Sequence, residues 1–214
     1  DIIWVGADGQ GIYMYFTDEF SIENVLLDVP EYRVNNPVRA LFLDHEQTLW
    51  IGTKGGGILR MMDFHPDRET LPQAERILAN NSALMDNSVY SFAPGRRNSL
   101  WIGTEDGLNY YSYLTRRIEE FPVIADGKKV KYVHSICETN DSTLWVVSAG
   151  EGIVKITLEA SSSLPKVKSA QRFTLDGGKR NSNYFFVSYQ ENDSTIWFGN
   201  RGYGAYTVSY THLT

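Results

Sequence analysis

Five tryptophans divide the chain into similar parts. Trp4, Trp50, Trp101, Trp145 and Trp197 lie in the segments DIIWVGADGQGIYMY, TLWIGTKGGGILRM, SLWIGTEDGLNYYS, TLWVVSAGEGIVKI and TIWFGNRGYGAYTV, spaced by 46, 51, 44 and 52 residues. That period is too long for a leucine-rich or ankyrin repeat and fits a four-stranded propeller blade. No other feature constrains the fold as much, because one repeat cannot bury its apolar faces alone and must stack on its neighbours.

The parts recur in a fixed order. An apolar inner strand comes first, as in Val38 to Leu43, Val89 to Ala93, Tyr132 to Cys137 and Tyr184 to Tyr189. A polar turn follows (DHEQ, PGRRN, ETND, QEND), made of residues that bond their own backbone or tolerate unusual angles. Next comes the Trp strand, then a Gly-rich turn such as Gly55-Gly56-Gly57, Gly150-Glu151-Gly152 or Gly202-Tyr203-Gly204. A third strand and a looser fourth, such as Ile118 to Phe121, close the unit. The Trp ring suits the wedge between adjacent blades, where it buries on the order of 150–250 Å². Gly6, Gly52, Gly103 and Gly199, two residues after Trp, leave room for a neighbour; Val147 breaks that pattern.

The expected fold is therefore all-β: a β-propeller of four-stranded antiparallel blades. The first unit lacks an inner strand and the fifth an outer one. This predicts three complete and two partial blades, with units near 1–34, 35–82, 83–126, 127–178 and 179–214 in a single partial propeller. An arc of a larger ring is favoured over a closed five-blade ring, since a ring needs its edges paired. The chain opens directly on a strand without a signal sequence, as a piece of a longer protein would.

The pattern of inner strand, acid or amide turn, [TS]-[LI]-W-[IF]-G-T, Gly-rich turn and G-[LI] resembles the two-component regulator propeller repeat. Asn87 to Tyr111 and Asn36 to Leu59 match best, and Asn36, Asn87 and Asn183 stand where that family opens its inner strand, with Lys131 in the fourth unit. The resemblance implies seven-bladed propellers in the periplasmic, extracytoplasmic sensor region of membrane-bound histidine kinases, many of which respond to glycans. It implies partners as well: an oligosaccharide, the remaining blades and signalling domains of the parent, and a homodimer contact.

Propellers bind at loops carried on a rigid ring. One rim gathers the turns after the Trp strands (Asp8, Gln10, Lys54, Glu105, Asp106, Glu151, Arg201, Tyr203) and the entries to the inner strands (Asn36, Arg39, Asn87, Tyr90, Lys131, His134, Asn183, Tyr184). Eleven residues before each Trp stand Arg39, Tyr90, His134 and Phe186, a varying position in a constant frame. Arg39, Tyr90, His134, Tyr184, Arg201 and Tyr203 are the candidate ligand residues, a mix that suits sugars: rings stack on C–H faces while cations bond hydroxyls. Inter-blade packing with a satisfied polar tip is the competing reading of each.

Other functions find less support. The net charge of -6 disfavours nucleic acid and anionic lipid. The Lys128-Lys129 and Lys131 cluster reads as a solvated loop. No apolar run reaches the ~18 residues of a membrane helix. Cys137 is alone and reads as a small buried hydrophobe. The four histidines show no metal spacing, and no cofactor motif occurs. Glycoside hydrolysis needs two carboxylates roughly 5–10 Å apart, whereas Asp8, Glu105, Asp106 and Glu151 recur in one turn for local reasons. The sequon-like Asn-Asp-Ser before Trp145 and Trp197 reads as a hairpin turn. A sensor module thus ranks first, a protein–protein interaction propeller second and a carbohydrate-active enzyme third.

Overall fold

A computed structural model describes residues 2–8, 11–19, 21–25, 33–65, 73–140, 142–160, 162–175 and 182–209. Gln10 and the last residues from Tyr210 lie outside them. The chain divides into two compact units, 1–90 and 91–214.

The first unit holds two antiparallel meanders. One has three strands, β1 (Ile2–Gly6), β2 (Ile12–Phe16) and β3 (Ser21–Val25). The other has four: β4 (Val38–Leu43), β5 (Leu49–Thr53), β6 (Ile58–Met62) and β7 (Gln73–Ile77). Their shared core joins Ile12, Val34, Val38, Leu49, Ile51, Leu59, Met61 and Phe64, with Trp4 edge-on to Phe64 at 5.0 Å.

The division between the units falls inside β8 (Val89–Gly95), which pairs with β9 (Ser99–Thr104), β10 (Gly107–Ser112) and β11 (Arg117–Phe121). A second four-stranded sheet is β14 (Val133–Asn140), β15 (Thr143–Ser148), β16 (Gly152–Leu158) and β17 (Val167–Phe173). A three-stranded sheet, β18 (Phe185–Asn192), β19 (Thr195–Asn200) and β20 (Gly204–Ser209), ends the unit. Three four-stranded and two three-stranded meanders are what the repeat predicts.

Burial explains the composition of the strands. Every residue of β5 and β9 is buried, because a second strand is covered on both faces. Such strands read as continuous apolar runs. The fourth strand β17 has no fully buried residue, and polar side chains occupy it. Trp50, Trp101 and Trp145 are buried as expected, while Trp197 is 41% exposed on the uncovered face of the last sheet. Cys137 is half-buried beside the core, and burial raises its thiol pKa.

The glycines after Trp have separate causes. A Cβ on Gly103 would stand 2.5 Å from the Val133 carbonyl oxygen of the next sheet, and one on Gly6 would stand 2.7 Å from Val38 Cγ1. On Gly199 it would meet Val187 of its own sheet. At the departure, Val147 joins Ile153, Phe185, Ile196 and Phe198 in a cluster instead of seating a neighbour on bare backbone.

Two sequence expectations need correction. The polar turns are shorter than read: Pro94-Gly95, Glu138 to Asn140 and Gln190 to Asn192 continue the inner strands, since hairpin pairing runs to the last residue before the turn. Asn192 pairs with Thr195, and its Oδ1 accepts the Ser194 N–H at 2.9 Å, closing Asp193-Ser194 as a tight turn. The lysine cluster is not a solvated loop. Lys128-Lys129 form β13, paired with β12 (Ile124–Ala125) across Asp126-Gly127, both with positive φ. That is the dihedral demand of a type I′ hairpin. Lys129 and Lys131 both close on Asp106.

Candidate functional site

Joints between consecutive repeats build the surroundings of the site. Asn87 accepts the Gly55 and Gly57 N–H groups on its backbone carbonyl at 3.1 and 2.8 Å, and the Ala79 N–H on Oδ1 at 2.8 Å. Asn183 repeats this with Gly150 and Gly152 on its carbonyl and Leu175 N on Oδ1. Asn87 and Asn183 are thus staples between one repeat's Gly turn and the next repeat's inner strand. Lys131 replaces the staple with charge: its Nζ lies 2.7 Å from Asp106, which also takes Lys129 at 2.6 Å. Those two ammoniums hold the Asp106 carboxyl below its ordinary value.

The position eleven residues before Trp has a backbone explanation. Pairing skips one residue at Val38/Ala40, at Val133/Ser135 and at Phe185/Val187. Arg39, His134 and Phe186 are therefore the extra residues of β-bulges. A bulge bends its strand and re-aims the extra side chain.

In the second unit, a cleft of about 450 Å³ is lined by Tyr132, His134, Ala149, Gly150, Glu151, Tyr184, Phe186 and Arg201. Its size lies in the range of small-ligand sites. Two consecutive repeats supply equivalent pairs to it, Tyr132 with His134 and Tyr184 with Phe186, each pair flanking the first residue of an inner strand. His134 meets Phe186 edge-on at 4.9 Å. Tyr184 carries the Arg201 turn, whose backbone N–H donates to the Tyr184 carbonyl at 2.8 Å. Glu151 is held by Arg172, whose Nη1 donates to its carboxylate at 2.9 Å and to its carbonyl at 3.1 Å.

His134, Tyr184 and Arg201 thus come together, while Arg39, Tyr90 and Tyr203 do not line this cleft. Arg39 faces Asp8 at 3.8 Å, an exposed pair of small worth. Tyr90 lies in β8 at the division between the units. Tyr203 projects into solvent from the turn that holds Arg201. Sequence reasoning missed Tyr132 as a site residue and took it for the start of a strand. It has φ 52 and precedes the strand, with its N–H on the Glu105 carbonyl and its carbonyl accepting from Ala149. A bulky residue in that region is strained. The available signal was its equivalence to Tyr184.

Residues 33–55 and 83–106 match the two component regulator propeller family. Two segments of the chain thus resemble that repeat. Over 161 residues, 73% of this chain and 11% of the relative, it is 28% identical to a protein of Formosa agariphila named Histidine kinase P4. PorZ, a surface component of the type-IX secretion system of Porphyromonas gingivalis, superposes with TM-score 0.67 at 16% identity over 97% of this chain and 30% of its own. The extracellular domain assigned to the hybrid two component system BT4673 of B. thetaiotaomicron does so with TM-score 0.57 at 16% identity, over 94% and 34%. At such identities the likeness is one of fold, the β-propeller. The chain spans about a third of these solved chains and about a tenth of the curated relative.

Proposed function

We propose that this chain is part of the extracytoplasmic, periplasmic sensor region of a two-component receptor, and that it binds an oligosaccharide without transforming it. The cleft of the second unit carries the proposal. Tyr132, Tyr184, Phe186 and His134 offer rings to sugar C–H faces, and Arg201 offers a fork of donors to hydroxyls. The regulator propeller repeats and the relative named as a histidine kinase supply the signalling context. The parent supplies further blades, completing a ring of seven, together with the membrane anchor and kinase. Binding without turnover follows from the lining. Glu151 is its carboxylate and is engaged by Arg172, whereas hydrolysis takes a pair.

Calorimetric titration of the complete sensor region with a panel of oligosaccharides tests this. The expected result is saturable heat with no product. Tyr184→Ala and Arg201→Ala should each weaken binding by about tenfold, or 1.4 kcal/mol. Absence of heat from every glycan with folded protein would refute carbohydrate sensing and turn attention to a protein partner.

A further inference from the structure

We infer that the cleft holds two adjacent residues of a glycan chain, one on each repeat's ring pair, so that its shortest full ligand is a disaccharide unit. The inference rests on reading the cleft as the ligand site. The backbone that carries the rings does not need them. Thirteen residues before Trp50, Trp145 and Trp197 stand Pro37, Tyr132 and Tyr184. The carbonyl of each accepts the N–H of the residue four after its Trp: Lys54 at 2.9 Å, Ala149 at 3.0 Å and Arg201 at 2.8 Å. Proline makes this joint as well as tyrosine does. Ser88 occupies the position in the third repeat. An aromatic ring both there and two residues later occurs only in the two repeats that line the cleft, as Tyr132 with His134 and Tyr184 with Phe186.

Packing does not account for the rings either. Val133 and Phe185, each between the two rings of a pair, are buried, whereas Tyr132, Tyr184 and Phe186 stay 40%, 38% and 38% exposed. Large apolar side chains left open together in one concavity mark a binding surface. The two pairs join, since His134 meets Phe186 edge-on. Tyr184 is also seated: a Cβ on Gly150 would stand 3.3 Å from its Cε1 and Cζ, so bare backbone lies against that ring. A ring already held in place loses little freedom when a sugar stacks on it. Equivalent residues of consecutive repeats recur at a fixed step, and a glycan chain is itself a repeat. A monosaccharide engages one ring pair, and a disaccharide engages both.

Ligand length decides the matter. The complete sensor region would be titrated calorimetrically with cello-, xylo-, manno- and galacto-oligosaccharides of one to four residues. In a series that binds, affinity should rise about tenfold or more from one residue to two and level off beyond. Tyr132→Ala and Tyr184→Ala should each erase that step while leaving the circular dichroism spectrum unchanged. Tyr132→Phe and Tyr184→Phe, which keep the rings, should preserve it. Loss of the step in the phenylalanine variants too would assign it to the hydroxyls and overturn the role of the rings. A monosaccharide that binds as tightly as its disaccharide, equal gains at every added residue, or a step that survives both alanine substitutions would overturn this inference and leave the sensor reading standing. Silence from every length, with folded protein, would overturn both.

Discussion

At the scale of single residues, Tyr132 is the most informative. Its left-handed backbone costs roughly 1–2 kcal/mol for a residue with a side chain. The contacts that keep it there are the Glu105 and Ala149 backbone groups, which also place its ring in the cleft. Tyr132→Gly should therefore leave the melting temperature unchanged or slightly raised while weakening ligand binding. A clear fall in melting temperature would contradict the strain argument. Asp106 gives a pH prediction. Its folded pKa lies below its ordinary 3.8, so its contribution is full above that value and is lost as pH falls through the depressed one. The stability gap between the parent and Asp106→Asn, followed by thermal melts, should be flat from neutral pH down to about 5 and close at lower pH.

Secondary-structure elements are held by devices that the repeat pattern shows only in part. Asp44 is buried and accepts the Glu46 and Thr48 N–H groups and Trp50 Nε1, tying the turn after β4 to the Trp strand. Trp50→Phe removes the last bond and should cost about 1–3 kcal/mol in urea unfolding. Asn183→Ala should cost a similar amount, because the Leu175 N–H loses its acceptor. Gly103→Ala drives a methyl toward the Val133 carbonyl and should cost about 1–3 kcal/mol. If it proved neutral, the close approach between those sheets would not be the reason for glycine. The Asn positions were visible in the sequence, but their role was not. Their side chains reach eight residues back while their carbonyls hold a turn some thirty residues earlier, and only packing of consecutive sheets brings that turn within reach.

At the scale of the whole molecule, the end sheets leave apolar surface uncovered. Ile3, Val5 and Ile22 are exposed on the first sheet, and Val187, Tyr189 and Trp197 on the last. Contiguous patches of this kind mark surfaces that associate. The isolated chain should bind a hydrophobic dye and self-associate as its concentration rises, seen by light scattering. The complete sensor region, where further blades are proposed to cover both faces, should do neither. A monomeric, dye-silent isolated chain would argue against that cover.

What the sequence by itself determined was the series of sheets. Strand, turn and glycine signals are local, and five copies of one pattern reinforce one another, so the order of strands and the two short end sheets were readable. Even Trp197, an anchor by pattern, was recognisable as a strand residue; its exposure could be read only from the folded sheet. Tertiary structure decided the site. Arg39, His134 and Phe186 looked like a varying position, but the bulge that re-aims them exists only in the pairing register of two strands. The cleft needs Tyr132 and Tyr184 from different repeats to face one space, with Arg172 close enough to neutralise Glu151. Those are distances between segments far apart in the chain, and no periodicity fixes them.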